Sequence, residues 1–150
     1  MQNNDLPSHC FQQTELEHFL SLEGQTLEQV HYFTVPAARA EYLHALELLF
    51  AEGPTLLLAA DAEEPAMRAI TPEQLMATAR DLKSRGLALH LLDANRSALW
   101  APLVGETLRA ILLSKNEDGL SANDALVFDF GAHRLLLSTA ETMGLAVSAL

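Results

Sequence analysis

The chain has 150 residues, of which 49% are hydrophobic and only 19% are charged. Its 20 Asp and Glu residues against 9 Lys and Arg give a formal net charge of -11, which repels phosphates and argues against direct binding of nucleic acid. No apolar stretch approaches the roughly 20 residues of a membrane-spanning helix, and no basic residue precedes Arg39, so we expect a cytoplasmic protein without an export signal.

An internal repeat organises the chain. The segment FLSLEGQTLEQV at 19–30 aligns with WAPLVGETLRAI at 100–111, and shorter matches follow in the same order at 45–50 with 125–130 and at 56–58 with 135–137. The spacing between the matches shrinks one residue at a time, as small changes in loop length would produce. We therefore predict a single domain, residues 1–150, with repeats over 14–70 and 95–150.

The first elements follow from local patterns. Residues 1–13 are polar and without a period, which indicates a loose lead-in. Thr14 and Glu17 have the spacing of a capping box, which predicts a short helical turn ending near Gly24. Alternation over 26–34 predicts a strand, and its copy is expected at 107–114.

The stretch 36–52 has two interpretations. Its richness in Ala, Leu and Glu favours a helix, whereas its copy at 124–130 alternates as a strand does. We predict strands in both places, because tertiary context overrides local propensity, while the helical alternative stays open for 36–52. Turns at 53–54 and 131–133 then lead into strands at 55–60 and 135–139, and last strands are expected at 67–70 and 145–150.

The clearest predicted helix, 71–86, lies between the repeats. Thr71 is its cap, Pro72 its first residue, Gln74 completes the capping box, and Gly86 follows its end. A strand at 87–92 leads into the second copy. The predicted fold class is α+β, with two pseudo-repeated β-rich halves, as curved antiparallel sheets or a partly open barrel, joined by one central helix.

Motifs for catalysis and for metal or nucleotide binding are weak. His9 and Cys10 are adjacent in the lead-in, and His31, His44 and His90 fall in strands, where a position on a sheet face is the commoner role. The loop at 116–124 has the composition of a cation site, but its spacing puts Ala125 where a bidentate carboxylate is needed. We therefore predict no catalytic residues, no cofactor and no metal site.

Two acidic loops carry the functional prediction. They are expected to project from the same end of their halves and to attract a basic partner. Their members are Asp61, Glu63, Glu64, Glu117, Asp118 and Asp124. We predict a non-enzymatic protein-binding protein, of the immunity or chaperone type, whose partner is a basic protein. The apolar composition and the uncharged end TMGLAVSAL also suggest a homodimer.

Two alternatives remain open. A small apolar ligand could bind between the halves, in a pocket lined by Phe19, Phe50, Trp100 and Phe130. An enzyme could use paired carboxylates, for which Glu47 and Asp129 occupy matching strand positions.

Overall fold

A computed structural model describes residues 6–36, 41–61, 63–140 and 144–150. They form one curled, half-barrel sheet that is largely antiparallel, with two helices packed against it. The helices are α1 (Gln13–Ser21) and α2 (Pro72–Ser84), and the strands are β1 (Leu27–Pro36), β2 (Glu41–Phe50), β3 (Thr55–Ala60), β4 (Met67–Ala69), β5 (His90–Asp93), β6 (Ala110–Lys115), β7 (Ser121–Asp129), β8 (Arg134–Thr139) and β9 (Leu145–Ala149).

Two antiparallel meanders make up most of the sheet. Strands β1 to β4 pair in chain order, and β6 to β9 do the same. Among the described strands, β5 pairs with β1 alone and lies at its outer edge. The meanders join where Leu43 of β2 pairs with Leu145 of β9, and again at an isolated bridge between Thr26 and Thr107. Gly144, with φ +82°, lets the chain pass directly against the backbone of Leu43 at the first junction.

The main core lies on the concave side of the sheet. Alternating residues of β2 and β7 point into it, since Leu46, Leu48, Leu126 and Phe128 are all buried. Trp100 is fully buried in it, and its indole N–H donates to the hydroxyl of Tyr32 at 2.7 Å. A smaller cluster on the opposite face of β2 and β3 is covered by Leu75 of α2.

The prediction of a strand in the ambiguous stretch 36–52 is confirmed for 41–50, whereas residues 37–40 lie outside the described part of the chain. Leu46, Leu48 and Phe50 all face the core from β2. A helix would place successive side chains 100° apart and could not bury this alternating set on one side. Tertiary packing therefore overrides the helical composition of the segment.

The start of the chain differs from the prediction. Helix α1 is a two-and-a-half-turn helix rather than a single turn, and its cap is Gln12, whose N–H donates to Glu15 at 2.7 Å. The predicted cap Thr14 lies inside the helix. The loose lead-in was also wrong for residues 6–12, because Cys10 and Phe11 are fully buried. Two-residue apolar stretches of this kind give no periodic signal in a sequence.

The linker between the meanders was predicted more closely at α2 than at β5. Helix α2 begins after Thr71, whose hydroxyl accepts from the N–H of Gln74, as the capping box requires. The strand predicted at 87–92 forms only at His90–Asp93 and is exposed on both faces. Among the described strands it pairs with β1 alone, which leaves its other edge without a neighbouring strand.

Candidate functional site

The N-terminal segment 6–12, here called the strap, connects the two acidic loops. The Ser8 hydroxyl donates to Glu64 at 3.2 Å, while the Ser8 carbonyl accepts from Asn123 at 3.0 Å. Two residues further along the strap, Cys10 pairs with Ala122 of β7 in an isolated antiparallel β-bridge. The β3–β4 loop and the start of β7 therefore meet at one residue of the strap.

A buried ion pair fixes the strap to the sheet. The Arg68 guanidinium on β4 bonds Glu15 at 2.7 Å and also donates to the carbonyls of Ser8 and Cys10. The other oxygen of Glu15 accepts from the N–H of Ala69 at 2.7 Å. Because Glu15 is only 7% exposed and every one of these partners is hydrogen-bonded, the strap is part of the folded structure.

The six predicted partner-binding residues all lie on the surface. They are Asp61, Glu63 and Glu64 in the β3–β4 loop, Glu117 and Asp118 in the β6–β7 turn, and Asp124 on β7. None of them forms an ion pair with another described residue. Arg68 and Lys115, the nearest basic residues in the chain, bond Glu15 and Ser121 instead.

One of the six also has a structural role that the sequence analysis missed. The Asp61 carboxylate accepts from the N–H groups of Glu63 and Glu64, at 2.8 and 3.1 Å, and so closes the turn. This side-chain turn is typical of Asp and Asn followed by a tight loop. An Asn at this position would keep the accepting oxygen and remove only the charge.

A cleft between α2 and the outer face of β2 and β3, here called the α2 cleft, has a volume of about 470 Å³. His44 lines it because of a β-bulge. Phe33 lies opposite Ala45 and Thr34 lies opposite Leu43, so His44 is the extra residue between them. The bulge turns the imidazole away from the core, and burial lowers its pKa. Sequence reasoning placed His44 in a strand but could not detect a bulge, which depends on the register.

The charged groups around the α2 cleft already bond other residues of the chain. Asp81 pairs with Arg85 at 3.0 Å, Arg68 is bound to Glu15, and Asp61 closes its own loop. His44 has no hydrogen-bond partner among the described residues, and burial favours its neutral form, which can accept a hydrogen bond. The described residues contain no group of three His, Cys, Asp or Glu arranged to hold a metal ion.

The other strand histidines and carboxylates form separate pairs. His31 bonds Glu47 at 2.9 Å across β1 and β2, and His90 bonds Glu41 at 3.3 Å between β5 and β2. Asp129 accepts from the N–H of Gly131 and lies 3.5 Å from Arg134, and these contacts lower the pKa of its carboxyl group. The two carboxylates of the enzyme alternative, Glu47 and Asp129, thus have different partners in different meanders.

The aromatic residues of the apolar-ligand alternative are packed in the core. Phe19, Phe50, Trp100 and Phe130 are each at most 5% exposed, and Trp100 also contacts Phe128 with ring centroids 6.1 Å apart. All four side chains belong to the main core cluster. Within the described residues, neither helix has the length and apolar character needed to cross a bilayer.

Comparison with protein-family models, with curated proteins and with solved structures gives no match to this chain.

Proposed function

We propose that the chain is a cytoplasmic, non-enzymatic protein-binding protein whose partner is a basic protein, in the manner of immunity proteins or chaperones. The observation that supports this most directly is that the strap contacts both acidic loops, Ser8 bonding Glu64 and Cys10 accepting from Asn116, while none of the six carboxylates forms an ion pair among the described residues. Grouped carboxylates without counter-charges attract a basic surface and accelerate encounter.

The strap supports the proposal because it makes the acidic surface rigid. Arg68 joins Ser8, Cys10 and Glu15, so that the loops on either side of the strap are held at fixed positions before a partner arrives. A preorganised surface binds with a smaller entropic cost than a surface that must first be ordered. Asn116 adds to this order, since its side-chain oxygen accepts from the N–H groups of Asp118 and Leu120 within the β6–β7 turn.

The test uses the basic product of a neighbouring gene as the candidate partner and measures its association rate by stopped flow. Replacing the six acids by Asn and Gln should slow association at least roughly tenfold at low salt, because steering by complementary charges contributes on this scale. Added salt should slow the unmodified chain and bring the two rates together. The fold should be kept, since Asn at 61 still accepts the loop hydrogen bonds.

A second set of exposed acids provides the matched control. Glu17, Glu23, Glu28, Glu52, Glu73 and Glu106 are exposed and lie outside the two loops. Neutralising these six changes the net charge by the same amount, so a similar slowing would show that net charge rather than the acidic loops drives association. A rate that responds neither to salt nor to either set of changes would contradict the proposal.

We also propose that the two meanders descend from one repeated unit. Val30 lies opposite Leu48 and Leu48 opposite Leu56, while Ile111 lies opposite Phe128 and Phe128 opposite Leu135. These pairings follow the alignment of the repeats residue by residue. Hydrogen bonds between the meanders support the proposal in the same way. Gly24 donates to Leu108, and its counterpart Gly105 donates to Leu27. Leu27 donates to Glu106, and its counterpart Leu108 donates to Gln25.

A further inference from the structure

The α2 cleft continues into an adjoining recess of about 240 Å³. The cleft and the recess share five lining residues, which are His44, Ala60, Asp61, Thr78 and Asp81. With the volume of about 470 Å³ of the cleft itself, the space falls in the range of sites that hold small ligands, about 300–1,000 Å³. It is large enough for a long amino-acid side chain.

The charges around this space leave one carboxylate without a counter-charge among the described residues. Asp61, Arg68, Asp81 and Arg85 line the cleft and the recess. Arg85 pairs with Asp81 at 3.0 Å, and Arg68 pairs with Glu15 at 2.7 Å. Asp61 remains, so the site has one net negative charge and is complementary to a ligand with one positive charge.

Hydrogen-bond acceptors of the site come from both the sheet and the helix. The hydrogen bonds that the Asp61 side chain accepts go to Oδ1, and Asp81 forms its ion pair through Oδ2, so Asp61 Oδ2 and Asp81 Oδ1 accept from no described residue. His44, in its neutral form, has one accepting ring nitrogen. The Thr78 hydroxyl donates to a helix carbonyl, which leaves its oxygen able to accept.

A negatively charged ligand fits this site less well. Both terminal nitrogens of Arg68 donate to Glu15 or to carbonyls of the strap, and Arg85 is paired with Asp81. Burial lowers the pKa of His44, so its imidazole supplies no positive charge near neutral pH. The site therefore suits a cation with several N–H donors.

We propose that the α2 cleft binds the guanidinium group of an arginine side chain presented by the basic partner. A guanidinium has five N–H donors for these acceptors, whereas an ammonium group has three. Its methylene stem can pack on Ala59, Ile70 and Ala77, the apolar part of the lining. The inference rests on the proposed function for the source of the arginine, and it adds an anchor to the steering by the acidic loops.

A nuclear magnetic resonance titration with Nα-acetyl-L-arginine amide tests the site without a partner protein. We expect saturable shifts of the amide signals of His44, Thr78 and Asp81. The citrulline derivative has nearly the same shape but no charge, so it should bind at least roughly tenfold more weakly, because charge-assisted hydrogen bonds are lost. Agmatine carries a guanidinium without a peptide chain. Saturable binding of agmatine but not of the arginine amide would overturn the assignment to a protein side chain.

Three variants locate the binding. Asp61→Asn keeps the accepting oxygen of the loop and should weaken binding of the arginine amide roughly tenfold. Ala77→Leu, at an exposed helix position, fills the cleft without a change of charge and should weaken binding by a similar factor. Asp124→Asn removes the same charge as Asp61→Asn at an exposed site outside the cleft, so it is the matched control and should leave binding unchanged.

The partner protein supplies the second measurement. Ala77→Leu should speed its dissociation roughly tenfold and leave its association rate at low salt unchanged, because an anchor acts on dissociation and steering acts on association. No saturable binding of the arginine amide, equal binding of the citrulline derivative, or a partner dissociation rate indifferent to Ala77→Leu would overturn the inference. The proposed function fails separately, when the association rate ignores salt and the acidic loops, whatever the amide does.

Discussion

At the scale of single residues, His44 shows how a register shift creates a chemical environment. In a regular β2 strand the side chain of His44 would lie on the opposite face from those of Leu43 and Ala45. The bulge instead places its imidazole in the α2 cleft, which Asp61, Arg68 and Asp81 also line. Burial there favours the neutral form, so the pKa of His44 lies below its ordinary value. The folded state therefore binds a proton less readily at this site than the unfolded chain does.

This difference predicts how stability depends on pH. The contribution of His44 is fully present above the ordinary histidine pKa of about 6.5 and is lost as the pH falls through the lower pKa of the folded state. Urea unfolding at a series of pH values should thus show a smaller loss of stability on acidification for His44→Gln than for the unmodified chain. His133→Gln, at an exposed site, is the control. Equal pH dependence in all three would contradict the burial of His44.

At the scale of secondary-structure elements, the junction of β2 and β9 depends on a close approach of two backbones. Among the described residues, one pair, Leu43 with Leu145, joins the two strands, and Gly144 reaches the backbone of Leu43 with no room for a side chain. Gly53, in the β2–β3 turn, also has a positive φ but has open space around it. Substitutions at the two glycines therefore separate the free-energy cost of a left-handed backbone from that of a steric clash.

Alanine substitutions at these glycines should differ in effect. Gly53→Ala should lower the free energy of unfolding by roughly 1 kcal/mol, the usual penalty for a left-handed residue with a side chain. Gly144→Ala should lower it by about 2 kcal/mol more, because the new Cβ meets the Leu43 carbonyl and the strands must separate. Denaturant titration measures both values. Equal losses would mean that the strands can separate at this junction at little cost.

The sequence allowed most of the strand content to be predicted because its cues were local or repeated. The repeat decided between helix and strand for β2, and the Thr71 capping box located α2. The strap and the bulge at His44 could not be predicted, since both depend on contacts between distant segments. Arg68 of β4, for example, bonds Glu15 and Ser8, which lie 53 and 60 residues away in the sequence.

At the scale of the whole molecule, each meander depends on residues of the other part of the chain. Strand β5 and Trp100 contact the first meander although they follow α2 in the sequence. Across the junction, Gly24 donates to Leu108 and Gly105 donates to Leu27. If the chain is divided between α2 and β5, these contacts lose their buried surface and their backbone hydrogen bonds.

Dividing the chain after Gly86 should therefore give two fragments that fold only together. The protein has one Trp, so the emission of Trp100 reports on the second fragment alone and on the mixture. We expect solvent-exposed emission from the isolated fragment and a blue shift when the first fragment, which carries Tyr32, is added. Blue-shifted emission from the isolated second fragment would show that its meander forms a complete core by itself.

The bridge between Thr26 and Thr107 has a consequence for the order of folding. Its two residues, like Leu43 and Leu145, lie more than half the chain apart, whereas each meander is built from hairpins with short turns. Contacts between near neighbours carry the smallest loop-closure entropy and can form first. We therefore expect folding to end at the junction of the meanders, so that the leucine-rich inner faces of both meanders are exposed to other copies of the chain until that step.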